Sequence, residues 1–219
     1  MAQEVVKYRK ATRVLHHVHT AAFVVLFLTG LVLFIPQLSF IAQGGWTRVI
    51  HRVAAVIFVI APVLYTIFNW EAAKKGIKDA FTWGADDIGW LKAAPGYYFS
   101  MDEDKMPPQG HINTGQKMWW FMVLVFGALF VLTGIFMWFL KDVLPAASFQ
   151  WMVFIHDVAF IVTGCMLFVH IYLGVIHPLT TEAWKAITKG TVSVEYAKSH
   201  HGKWLKEAAK KKPDRKSVV

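Results

Sequence analysis

Long apolar runs alternate along this chain with short breaks rich in glycine, proline and charge. Four runs reach the length a hydrocarbon core demands: 14–36, 47–70, 117–140 and 149–176. A helix rises about 1.5 Å per residue, so each run crosses the ~30 Å apolar interior of a bilayer. Backbone groups in lipid must be satisfied within the segment, so the pattern predicts an all-α integral membrane protein built as a four-helix bundle over residues 1–178. Pro36 ends the first run, Pro62 predicts a kink in the second, and Pro145 and Pro178 bracket the fourth. The first run is longer than a signal h-region and lacks a small-x-small exit site, so it reads as a retained helix.

Two polar stretches complete the chain. The connection 71–116 contains MDEDKMPPQG, yet it also carries Trp83, Trp90, Tyr97, Tyr98 and Phe99. So many aromatics in so long a connection predict a segment folded against something. The tail 179–219 is basic and amphipathic, with Trp184 and Trp204, and is expected to lie on the bilayer surface or on a partner.

Charge orients the bundle. Lys7, Arg9, Lys10 and Arg13 precede the first run, the 71–117 stretch holds six Lys or Arg, and the tail beyond His177 holds ten. The remaining connections and helix ends offer only Arg48, Arg52 and Lys141. Positive residues stay inside, so both termini and the long connection are expected in the cytoplasm. The net charge of +9 is then a membrane-surface signal, and nucleic acid is not an expected partner. The single cysteine, Cys165, lies in mid-helix, which excludes a cysteine-ligated iron–sulfur cluster in this chain, and no C-x-x-C-H exists for c-type haem.

Histidines carry the chemistry. His156 and His170 lie fourteen residues apart in the fourth run. On a helix that is a rise of ~21 Å with a net turn only ~40° short of whole turns, so both imidazoles share a face. Histidine inside a membrane helix is costly and marks function, and two stacked in this way point to two haems stacked across the bilayer. By the orientation above, His156 and His51 fall near the outer side, and His170 and His16 near the inner side. The expected pairs are His51 with His156 and His16 with His170. His17 and His19 compete with His16 for the inner position, while His111, His177, His200 and His201 are expected to be interfacial or solvated. Two histidines per level do not complete a zinc site. Gly30, fourteen residues beyond His16, either makes room for a flat macrocycle or marks a close helix contact. Asp157 is expected to pair with Arg48 or Arg52.

With these residues in place, a family resemblance is legible. RVLHHVHTAAFVVLFLTGLVLFIP, RVIHR, NTGQKMWWF, IHDVAF and VHIYLGVIH together resemble the cytochrome b (gamma) subunit of membrane-bound respiratory formate dehydrogenase, over nearly the whole chain. The resemblance implies two haem b groups ligated by His51/His156 and His16/His170, in the bacterial inner membrane. It further implies partnership with an iron–sulfur beta subunit and a molybdenum or tungsten alpha subunit, and reduction of menaquinone or ubiquinone at the inner haem. The quinone-site motif falls on Asn113 and Gly115, with Gln116, Lys117 and His170 beside them. Arg52 and Asp157 depart from the family's pattern on the side that would face the partner. Cytochromes b of nickel–iron hydrogenases and of thiosulfate or polysulfide reductases share this architecture. From another class, a haem-free membrane anchor or small transporter remains open; b-type absorption bands discriminate it.

Overall fold

The structure is a computed structural model of the chain, and residues 3–210 are described here. Four helices are long and apolar enough to cross a membrane: α1 (Lys10–Phe34), α3 (Trp46–Phe68), α6 (Thr114–Phe139) and α7 (Ala146–Ile171), the last prolonged to Ile176. The chain is thus mostly helical with the expected four candidate membrane spans, and it departs from the all-α expectation only in one short β-ribbon among the described residues. Between α1 and α3, Pro36 opens a 3₁₀ turn at Pro36–Leu38, followed by the single turn α2 (Ser39–Ala42). Gly45, at φ +79°, supplies the left-handed residue before α3. Pro62 is accommodated inside α3, with the Thr66 hydroxyl donating to the Pro62 carbonyl at 2.8 Å.

The connection after α3 is helical. It forms α4 (Trp70–Phe81) and α5 (Ala85–Ser100), and the chain then reverses at Met101, φ 57°. Asp87 sits three residues into α5 and accepts from the Gly84 amide at 2.9 Å, a carboxylate at a helix start where backbone N–H groups are unpaired. Of the aromatics that made the sequence look folded, Trp90, Tyr97, Tyr98 and Phe99 lie on α5 and Trp83 in the link between α4 and α5. The Phe81 and Phe121 rings meet at 6.0 Å, and Trp120 covers Gly76.

α7 leaves its regular path through one π-helical turn, Tyr172–Ile176, and the His177 amide closes it on the Tyr172 carbonyl at 2.9 Å. Beyond Pro178 come α8 (Glu182–Thr188), the strand β2 (Thr191–Ser193), α9 (Val194–His200) and α10 (Gly202–Lys210). The N-terminal arm is a strand too: β1 (Glu4–Val6) pairs antiparallel with β2, Val5 opposite Val192. Lys7 and Tyr8 amides both donate to the Gly190 carbonyl, at 2.8 and 3.1 Å. Gly190 is required there: its φ is +95°, and a Cβ would lie 2.9 Å from the Tyr8 carbonyl oxygen. Ala186, Val192 and Ala197 form a small core beneath Val5, Tyr8, Tyr196, Trp204 and Leu205.

The chain divides into two compact units. The first, within the described residues, comprises 3–13, 71–121 and 169–210; the second comprises 14–70 and 122–168. The second holds α2, all of α3 and most of α1, α6 and α7; the first holds the ribbon, α4 from Glu71 on, α5, α8, α9, α10, the starts of α1 and α6 and the end of α7.

Candidate functional site

In the second unit, α3 carries His51 about one turn from its start and α7 carries His156, and their ring centroids lie 6.4 Å apart. Each ring is held by a threonine from a third or fourth helix. His51 Nδ1 meets Thr29 Oγ1 of α1 at 2.8 Å, and His156 Nδ1 meets Thr133 Oγ1 of α6 at 2.8 Å. Both hydroxyls also reach a carbonyl one turn back, Val25 at 2.7 Å and Leu129 at 2.6 Å. A hydroxyl has one proton, so a threonine that donates to its carbonyl must accept from the imidazole. This makes each Nδ1 the protonated nitrogen and leaves each Nε2 with its lone pair, the form that binds a metal.

The spacing fits a shared metal. Two imidazoles ligating one ion from opposite sides, with nitrogen–metal bonds of ~2 Å, have centroids about 6 Å apart. Phe130 closes one side of His156, with centroids 4.9 Å apart. No group of three or more His, Cys, Asp or Glu is placed to hold a metal ion among the described residues. A two-histidine site thus suits an ion whose remaining ligands come from a macrocycle.

Other expectations in this unit resolve differently. His16 Nδ1 lies 3.5 Å from Thr20 Oγ1, one turn along, and its ring meets His17 edge-on at 5.8 Å. His19 instead stacks on Phe58, centroids 3.9 Å apart. Gly30 receives Phe160 of α7, whose ring carbon would stand 3.0 Å from an added Cβ, and Gly164 receives Phe27 of α1 at 2.9 Å. Of the two readings of Gly30, close helix contact is the one seen. The expected Asp157 ion pair is absent among the described residues. Arg52 lies over the Trp138 ring, 5.2 Å from its centroid, and Arg48 donates to the Ala42 carbonyl at 3.2 Å. The two guanidiniums thus meet an aromatic face and a backbone carbonyl at the end of α2 instead of the acid.

In the first unit, Asn113-Thr-Gly-Gln-Lys117 opens α6 as a reciprocal cap. The Gln116 amide donates to Asn113 Oδ1 at 2.8 Å, and the Asn113 amide donates to Gln116 Oε1 at 2.9 Å. A second layer grips this turn. Buried Thr114 donates its hydroxyl to Asp87 at 2.7 Å and its amide to Gln109 Oε1 at 2.9 Å. Lys117 forms an ion pair with Asp87 at 2.8 Å and also donates to the Thr82 carbonyl at 2.8 Å. Burial pushes the Asp87 carboxyl up, but Lys117, Thr114 and the Gly84 amide together hold it below its ordinary value. The space over Gly115 is filled by Trp90, whose indole would stand 3.0 Å from an added Cβ. Further along α6, Trp119 stacks on His170, centroids 4.3 Å apart and planes 8° apart. His170 thus meets α6 within two turns of Asn113.

Of the four histidines expected to be interfacial or solvated, His111 and His200 are half-buried and the other two are buried. His177 is fully buried and His201 is 2% exposed. His177 packs among Tyr97, Tyr98 and Tyr172, its Nε2 3.3 Å from the Tyr98 carbonyl. His201 Nδ1 lies 2.8 Å from the Gly110 carbonyl, and His111 Nε2 lies 3.0 Å from that of Lys7. Lys7 is buried too: its ammonium donates to the His111 carbonyl and lies over Trp204, 4.3 Å from the ring. Burial drives Lys7 and His201 well below, and His111 down to about 4 from, their ordinary values.

The sequence reading missed Thr29, Thr133 and Asp87. The threonines carried a signal, being hydroxyls inside otherwise apolar runs; Asp87 carried none, because its partners lie 27 and 30 residues away.

Known proteins place these features. A cytochrome b556 subunit of the nitrate-inducible formate dehydrogenase of Escherichia coli K12 is 24% identical over 216 residues, covering 97% of this chain and 95% of that one. The formate dehydrogenase cytochrome b556 subunit of Haemophilus influenzae is 24% identical over 210 residues, with 93% and 83% covered. The b556(fdo) subunit of the Escherichia coli K12 enzyme is 21% identical over 212 residues, covering 94% of each. The sequence pattern described as prokaryotic cytochrome b561 matches residues 7–190, and it is to this family of haem b membrane proteins that the chain belongs.

Proposed function

We propose that this chain is a di-haem cytochrome b subunit that passes electrons from an iron–sulfur partner outside the bacterial cytoplasmic membrane to the quinone pool at its inner side, in a formate dehydrogenase complex. The observation that carries the reading is the His51/His156 pair, 6.4 Å between centroids with each Nδ1 engaged by a threonine. Haem b, when bound, supplies one-electron transfer. His51 and His156 offer it two Nε2 lone pairs. His16 and His170, matched to the family's pattern by sequence position, are the proposed ligands of a second group. The excess of Lys and Arg in the termini and in the α4–α5 region supports a cytoplasmic position for them. The relatives' names, cytochrome b556 subunits of formate dehydrogenase, support a formate dehydrogenase as the complex; an iron–sulfur subunit and a molybdenum or tungsten subunit are the proposed partners.

A quinone, menaquinone or ubiquinone, is proposed to bind at the Asn113–Lys117 turn beside His170. Asn113 spends its Oδ1 on the cap, which leaves its amide Nδ2 as the side-chain donor. Gly115, second in the helix, has an N–H without an intrahelical acceptor. Each hydrogen bond to a quinone carbonyl contributes ~0.5–1.5 kcal/mol net.

Reduced-minus-oxidised spectra of the purified complex test the ligands. His51→Ala and His156→Ala should each remove the same haem and leave the other; His16→Ala and His170→Ala should remove the second. Loss of a haem in His19→Ala with both retained in His16→Ala would move the inner ligand to His19. Absence of b-type bands in the wild-type complex would end the reading.

A further inference from the structure

The first unit contains a cleft lined by Trp90, Tyr97, Glu103, Asn113, Ser199 and His200. We propose that His200 and Tyr97 form a proton relay that supplies the quinone at the Asn113 turn; this rests on the quinone reading above. Quinone reduction needs two protons as well as two electrons, so a quinone site inside protein requires a conductor for protons.

The pair has the form of one. His200 is bonded at both ring nitrogens: Nδ1 lies 2.7 Å from Ser199 Oγ, and Nε2 lies 2.5 Å from Tyr97 Oη. The Ser199 hydroxyl donates to the Tyr196 or Glu195 carbonyl, at 3.3 and 3.4 Å, and so accepts from Nδ1–H. That leaves Nε2 to accept from the Tyr97 hydroxyl, for whose proton it lies a full ångström nearer than the Leu179 carbonyl at 3.5 Å. Exposure falls along the line: Glu103 and Ser199 are exposed, His200 is half-buried, and Tyr97 is 3% exposed. A purely structural Tyr–His clamp has no need of an exposed acid and serine at one end and an open cleft reaching the quinone motif at the other.

A solvent proton adds at Nε2, the ring nitrogen with the free lone pair, and makes His200 an imidazolium; its Nε2–H then donates to Tyr97 Oη while the tyrosine turns its own proton into the cleft. Tyr97 gives that proton to a quinone oxygen, directly or through water, and takes the Nε2 proton in return. His200 is left neutral with Nδ1–H, its resting form, and is recharged from solvent. Two such passes, with the two electrons of the proposed route, convert both carbonyls to hydroxyls. The groups acting on His200 are Glu103, Glu182 and the Tyr196 and Leu179 carbonyls, which favour its charge, Tyr97 and Tyr196, whose ring stacks on it at 4.1 Å, and neighbouring His201. Burial outweighs the acids and holds His200 below its ordinary value, so a proton taken up is readily passed on.

The test uses the whole complex, its haems reduced and then mixed with a short-chain naphthoquinone. His200→Ala should slow haem reoxidation by about tenfold or more, most at alkaline pH, and added imidazole should restore part of the rate. His200→Gln, which keeps hydrogen bonds to Tyr97 and Ser199 but carries no proton, should be as slow; Tyr97→Phe should be slow without rescue. Haem content and haem reduction by the donor should be unchanged in all three. A wild-type rate in His200→Gln, or slowing in His200→Ala that is flat with pH and not rescued, overturns the relay. Asn113→Asp separates the two readings, because it keeps the capping oxygen and deletes the donor. A normal rate in Asn113→Asp overturns the quinone site and the relay with it. A slow Asn113→Asp beside a normal His200→Ala overturns the relay alone.

Discussion

The two units use histidine in opposite ways. In the second, His51 and His156 stand in an apolar helix layer with one partner each, a threonine hydroxyl on Nδ1, and face one another. In the first, His111, His177, His200 and His201 are woven among carbonyls, tyrosines and a buried lysine. The difference lies in what the partners leave over. A ring bonded only at Nδ1 keeps a lone pair for a metal, whereas a ring enclosed by backbone and phenol has its protons assigned by the protein. Residue type and burial alone do not separate the two settings; the difference is that His51 and His156 face one another, while His111, His177 and His201 face backbone carbonyls and His200 a tyrosine and a serine.

The largest expected effect falls on the first unit alone. Asp87→Ala leaves Lys117, whose side chain is 14% exposed, without its carboxylate. Removing one partner of a buried ion pair costs about 3–5 kcal/mol. Hydrogen exchange should show protection lost over the start of α6, while the haem assigned to His51 and His156 keeps its wild-type bands in a variant that still assembles. A change in those bands in Asp87→Ala would dissolve the contrast between the units.

Next comes the converse. Thr133→Val or Thr29→Val keeps the shape of the helix layer and removes the acceptor for one Nδ1–H. Loss of such an outer partner weakens metal binding by about 10–100-fold. Haem titration and the midpoint potential should register it, and the first unit's exchange protection should not.

Acid should act on the first unit through its buried histidines. His111 falls to about 4 and His201 well below its ordinary value in the folded protein, so the unfolded chain binds more protons between there and pH ~6.5. Stability from these neutral rings is therefore present above pH ~6.5 and is lost as pH falls towards 4, at up to ~1.4 kcal/mol per pH unit for each. Exchange protection of β1, β2 and α10 measured across that range should decline, and His111→Gln should flatten the decline.

The smallest change sharpens the same boundary. Ser193 caps α9 through the Tyr196 amide at 3.1 Å and donates to Glu182 at 2.6 Å. Ser193→Ala should cost about 1 kcal/mol, seen as fraying of α9 in exchange, with haem content intact.

The sequence by itself determined the four long helices, and with them the spacing of His156 and His170 along one face. Both follow from local rules: a run of apolar residues long enough to span has one way to satisfy its backbone in lipid, and 3.6 residues per turn sets which positions align. The Asn113–Gln116 cap was equally local, three residues from donor to acceptor. Only the tertiary structure decided the partners. Glu4 and Thr191 are 187 residues apart in the chain, and the ribbon that joins them turned an apparent basic arm and tail into one packed body with His201 inside. Arg52 met Trp138 rather than Asp157, Phe160 filled the notch at Gly30, and Trp90 filled the one at Gly115. The threonines that choose the histidine tautomers come from other helices than the histidines they hold, 22 and 23 residues away. Periodicity reports which way a side chain faces from its own helix; what it meets there depends on segments far along the chain, which only packing brings within hydrogen-bonding distance.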